Sequence, residues 1–193
     1  MSLPPALIFD ANILVYLSKL GLLPYVRLLV PNPITSDFVS HEMKLPNWSE
    51  IKEEGIRAIP LDKNLIAELE ATRTRVLSRD RRNNVSVPDI SLIVLSKMSH
   101  TMLLTEDKNL KKAANEEGCV VGSLRWLLDC MGECDVFPAE KMVEIFREAG
   151  KLLNRSYGRC IAKYQGKAER GVSEPEMAYV RGKSVIVEEN WNE

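Results

Sequence analysis

Histidine is scarce in this chain: 193 residues hold only His41 and His100, and aromatic residues make up 6%. The four cysteines, Cys119, Cys130, Cys134 and Cys160, lack the close pairing that holds zinc. This argues against a Cys–His metal centre, and no cysteine has a partnered base for nucleophilic catalysis. The thiols read as buried or free in a reducing cytoplasm. Long apolar runs are also missing. A stretch such as Leu22 to Val30 is broken by Pro24 and Arg27, well short of the roughly 18 residues of a membrane span. Neither a membrane anchor nor a signal peptide is expected. Nor does one sign of charge dominate: 26 basic against 27 acidic residues give a net charge of -1. The bulk balance neither demands nor excludes a polyanionic partner, so local charge has to decide.

What is present is 45% hydrophobic content, enough to build the core of one ordinary domain of about 100 to 150 residues with an extension. Short β-rich runs alternate with longer helical patterns, the arrangement that builds a parallel sheet covered by helices on both faces. Strands are expected at Leu7–Phe9, Pro33–Thr35, Ala58–Pro60, Thr101–Leu104 and Cys119–Val121. Helices are expected through Ile13, Leu14 and Leu17, and over Phe38–Lys44, Leu61–Leu77, Val87–Lys97, Asp107–Glu117, Ser123–Cys130 and Ala139–Leu153. Gly118 fits the left-handed stop after a helix. The predicted fold is a three-layer α/β/α domain over residues 1–150 with about five parallel strands. A basic extension of unknown role follows over 151–193, carrying Arg155, Arg159, Lys163, Lys167 and Arg170 against Glu169 between 154 and 171.

In an open parallel sheet, ligands bind beyond the carboxyl ends of the strands, where loops and helix N-termini gather. Asp10 directly follows the first expected strand and Asp107 closely follows the fourth. Asp89 stands in the first turn of a helix, just after Pro88, and Glu42 lies about one turn into the helix after the second strand. Taken singly, Asp89, Glu106 and Asp107 read as helix caps favoured by the macrodipole, and Glu42 as a solvated helix residue. Together, four converging carboxylates raise one another's pKa values unless a cation neutralises them. Oxygen-only ligation points to magnesium or manganese.

The residues in this order resemble the PIN-domain nucleases. "LIFDAN" at Leu7–Asn12 resembles the family's strand ending in Asp-x-Asn, and Asp89 in "VSVPDISLIVLSK" its third acid. Thr105-Glu106-Asp107 resembles the Thr-x-Asp element, and Glu42 in "ITSDFVSHEM" is the best match for the second acid. The resemblance covers about residues 6–150. Two assignments stay open: Asp37 competes with Glu42, and Glu106 with Asp107. Asp107 is preferred, which leaves Glu106 a dipole-favoured surface acid.

The resemblance implies metal-dependent endonucleolytic hydrolysis of RNA. Asp10, Glu42, Asp89 and Asp107 would hold one or two Mg²⁺ or Mn²⁺ ions and serve the catalysis, with Asn12 and Thr105 in support. Candidate RNA contacts are Arg73, Arg75, Arg79, Arg81 and Arg82 before Asp89. In the extension Arg155, Arg159, Lys163 and Lys167 recur every four residues, with Tyr157 and Tyr164 as base-stacking surfaces. The equal reading for the first cluster is a solvated helix face, and for the extension a docking surface for a subunit or partner. Homodimerisation, an antitoxin or an RNA-processing partner all remain open. Rival readings are a PIN-like RNA-binding or assembly module without cleavage, and a phosphohydrolase using Asp10 as nucleophile. Such phosphohydrolases usually carry a second Asp two positions later, where this chain has Asn12.

Overall fold

The computed structural model describes residues 4–60, 62–79 and 85–169. Five strands form one sheet: β1 (Ala6–Phe9), β2 (Asn32–Ser36), β3 (Arg57–Ile59), β4 (Leu103–Leu104) and β5 (Val121–Gly122). They lie in the order β3-β2-β1-β4-β5, and every pairing is parallel. The connecting helices are α1 (Ala11–Lys19), α2 (Val26–Leu29), α3 (Asp37–Glu42), α4 (Trp48–Glu53), α5 (Lys63–Arg79) and α6 (Val87–Ser99). After β4 follow α7 (Lys108–Glu116), α8 (Leu124–Glu133), α9 (Ala139–Leu153) and α10 (Gly158–Glu169).

Side-chain alternation along β1 explains the three layers. Leu7 and Phe9 join a core with α1, α2, α8, α9 and α10, whereas Ile8 enters a second core with α5, α6 and α7. The central strand is therefore covered on both faces, which is why it reads as a continuous apolar run.

Differences from the expected elements have local causes. The expected 119–121 strand pairs at Val121–Gly122 instead. Gly118, at φ 82°, turns the chain left-handed, and the Cys119 amide is spent closing α7 on the Ala114 carbonyl at 2.9 Å. Helix α4 was not expected. Its start is nonetheless written in the sequence, because the Asn47 side chain accepts the Glu50 amide at 3.1 Å, an ordinary N-cap. The expected extension begins inside the core: Tyr157, Cys160 and Tyr164 are buried with Phe146 of α9. Residues 170–193 of that extension, with the apolar run at 184–187, lie outside the described residues. Among the described residues no single helix is long and apolar enough to cross a membrane.

Candidate active site

The chain leaves β1 toward β2 and β3 on one side, then returns to place β4 and β5 on the other. That reversal makes the carboxyl ends of β1 and β4 the switch point of the sheet, whose crevice is where open α/β sheets receive ligands. Asp10 ends one side of it and Thr105-Glu106-Asp107 the other. The Asp10 amide donates to the Leu104 carbonyl at 3.0 Å, and Thr105 Oγ1 donates to Asp10 Oδ2 at 2.7 Å, tying the two strand ends together.

Asp10 is 4% exposed, an unusual place for a carboxylate. Burial raises its pKa. Hydrogen bonds from Thr105 and the Ala11 backbone oppose the rise, the charges of Asp89 and Asp107 add to it, and the result is about 6. Asp89 is raised chiefly by burial too, eased by hydrogen bonds from Ser86, with Asp107 again raising it. Asp10, Asp89 and Asp107 thus act on one another electrostatically across three separate elements.

Local capping fixes two of them. Ser86 and Asp89 form a reciprocal capping box at the start of α6, in which Asp89 Oδ2 accepts the Ser86 amide at 2.8 Å. Asp107 is the N-cap of α7, its Oδ1 accepting the amides of Asn109 and Leu110 at 2.7 and 2.8 Å. Thr105 Oγ1 also accepts the Asp107 amide at 3.0 Å, so one hydroxyl orients both Asp10 and Asp107. Oδ1 of Asp89 and Oδ2 of Asp107 lie beyond these cap bonds.

Glu42 is not drawn into this group. It is exposed at the last residue of α3, and the charges acting on Asp10 are those of Asp89 and Asp107. Asp37 opens α3 and interacts with Ser40 and His41. Asn12 is exposed in the first turn of α1. Among the described residues, no three His, Cys, Asp or Glu side chains are gathered into a ready-made metal centre. The three groups whose charges act on one another are all carboxylates, one of them buried and crowded by like charge. That chemistry fits a hard divalent cation.

Glu106 is not the surface acid expected of it. Its side chain is only 8% exposed, accepts the Leu124 amide at the start of α8 at 2.9 Å, and pairs with Arg155. It stabilises the N-terminus of α8 rather than that of α7. Buried hydroxyls beneath the site also escaped the sequence reading. Thr35 Oγ1 donates to the Phe9 carbonyl at 2.7 Å, and Ser91 Oγ lies 2.6 Å from Ser36 Oγ. Serine and threonine at strand ends were the available signal. For Ser86 it was stronger, since Ser-x-x-Asp ahead of an apolar helix is a capping-box pattern.

Most of the candidate RNA cations are already paired. Arg75 and Arg79 bind Glu117, with Arg75 also on Glu68; Lys163 bridges Asp129 and Glu133, and Lys167 reaches Glu133. Arg73 and Arg159 are exposed, while Arg81 and Arg82 lie outside the described residues. Tyr157 and Tyr164 are 7% and 1% exposed and pack on Phe146, so they are core residues and not stacking surfaces.

A family model described as a PIN domain matches residues 6–161. The chain belongs to the PIN-domain family. Its five-stranded parallel sheet between helical layers is the three-layer architecture expected from the resemblance. The match extends past residue 150 into α10, in agreement with the packing of Tyr157 and Cys160 into the PIN-domain core. A search of curated proteins gives no significant match.

Proposed function

We propose that this PIN domain is a cytoplasmic endoribonuclease that uses Mg²⁺ or Mn²⁺ to hydrolyse RNA phosphodiester bonds at the β1/β4 crevice. The observation that carries this reading is Asp10, whose pKa burial lifts to about 6, with the charges of Asp89 and Asp107 adding to the rise. A fold keeps a carboxylate under that strain at a switch point when a cation relieves it.

Asp10, Asp89 and Asp107 would hold the ion, with Glu42 joining directly or through water. When bound, the ion supplies positive charge that polarises a phosphate and acidifies water. Thr105 holds one oxygen of Asp10 and takes the Asp107 amide into the same bond network. A carboxylate left over from ligation accepts the proton of the attacking water.

A second reading, an RNA-binding or assembly module without cleavage, draws on the lack of a ready-made ligand cluster among the described residues. The test incubates single-stranded and structured RNAs with the protein in magnesium, manganese or chelator, beside Asp10→Asn and Asp89→Asn. Under the nuclease reading cleavage requires metal and falls roughly 100-fold or more in either variant, on the order of a missing catalytic group. Cleavage undiminished in chelator or in both variants sinks it. RNA binding without cleavage under every condition favours the second reading.

A further inference from the structure

The α9–α10 elbow contains a second concave feature, apart from the carboxylates. A cleft of about 540 Å³ opens there. Buried Phe146 and Tyr157 with half-buried Ile161 form an apolar floor, and exposed Arg147, Lys151 and Arg155 form the rim. Arg147 and Lys151 stand four residues apart on α9 and so share a face. The elbow itself is tightly set. Asn154 takes φ 48°, the Arg155 amide returns to the Gly150 carbonyl at 3.0 Å, and a Cβ at Gly150 would meet the Arg155 carbonyl at 2.9 Å.

No acidic residue is among those lining this cleft. Lys151 does pair with Glu148 at 2.6 Å, but the pair is solvent-exposed and contributes little. Phe146 and Tyr157 are too covered to stack a base, so what the cleft offers is its positive rim, which suits the phosphates of an unpaired strand. Arg155 joins the cleft to the acid loop, because its guanidinium pairs with Glu106, the residue between Thr105 and Asp107.

We infer that this elbow cleft is a subsite for single-stranded RNA, with Arg147 and Lys151 binding its phosphates next to the β1/β4 crevice. The choice of RNA as ligand rests on the nuclease reading, but the subsite is tested without cleavage. Arg155 is left intact because Glu106 depends on it.

The experiment measures fluorescence anisotropy of a labelled single-stranded RNA of about twelve nucleotides on the full chain carrying Asp10→Asn, in chelator. Adding Arg147→Ala with Lys151→Ala is expected to weaken binding about tenfold near 0.1 M salt. The slope of log affinity against log salt is expected to fall by roughly 1.4, about 0.7 for each phosphate no longer neutralised. A control pair, Lys52→Ala with Arg57→Ala, removes the same charge from α4 and β3 and is expected to change binding less than about twofold. Unchanged RNA affinity and slope in the cleft variant, equal losses in the control, or no RNA binding by the parent chain would each overturn the proposal. So would loss of poly-glutamate binding with RNA binding intact, which would mark the cleft as an acidic-peptide site. RNA binding lost in the cleft variant, together with no cleavage by the unsubstituted chain in magnesium or manganese, would count against the nuclease reading and leave the subsite standing.

Discussion

Asp10 is worse off folded than unfolded once it is charged. Its pKa of about 6 in the fold, against an ordinary 3.8, means that between those values the folded chain holds a proton the unfolded chain has released. Stability therefore falls as pH rises through that window, by on the order of 3 kcal/mol for a shift of this size. Asp10→Asn keeps an oxygen for the Thr105 hydroxyl and removes the charge. In chelator the variant should be more stable than the parent at pH 7 by roughly that amount, and nearly equal to it at pH 4, as read from urea unfolding. Added Mg²⁺ or Mn²⁺ should stabilise the parent at pH 7 and leave the variant unmoved. The same pH dependence in both chains would show that Asp10 is not the strained group.

Elements, more than single residues, decided what was legible in advance. Asp10, Asp89 and Asp107 were readable because a strand end or a helix N-terminus announces itself within a few residues, and all three stand in those contexts. The pairing of β1 with β4 was not readable, since the two strands become neighbours only across about a hundred residues of intervening chain, outside any local pattern. The charge stripes misled for a related reason: spacing shows which cations share a helix face but not what that face meets. On α5 it meets α6 and α7. There the nearly buried Glu117 is pushed up by burial, yet ends below its usual pKa because Lys97 and Arg75 outweigh that effect. Arg79 binds the same carboxylate at 2.7 Å. Glu117→Gln would leave three cations around a neutral group. It should cost about 2 kcal/mol, below the range for a fully buried pair because the arginines are partly exposed. Loss of less than a few tenths of a kcal/mol in chemical denaturation would show the cluster to be incidental. The parent's share of this stability is present above the unfolded Glu pKa and disappears as pH falls through the lower folded value.

At the scale of the whole molecule, the described part of the region expected to trail the domain, through residue 169, packs into its core. Tyr164 is 1% exposed, stacks on Phe146 at 5.6 Å between ring centroids, and donates its hydroxyl to the Asp129 carbonyl at 3.3 Å. Lys163 fastens the same helix to Asp129 and Glu133 of α8. The stretch read as an extension outside the core because its glycines and basic residues dilute the apolar signal, and among its described residues Tyr157, Cys160, Ile161 and Tyr164 carry the buried stripe. If α10 belongs to the core, Tyr164→Ala should destabilise the chain by about 3 to 5 kcal/mol, the usual range for emptying a buried aromatic site. A chain ending at residue 153 should lose cooperative unfolding or aggregate, because Phe146 and its neighbours would face water. Thermal unfolding of both variants beside the parent decides the matter. A 153-residue form that melts within a degree or two of the parent would make α10 an appendage, and Glu106 would then have to hold the acid loop and α8 together without Arg155.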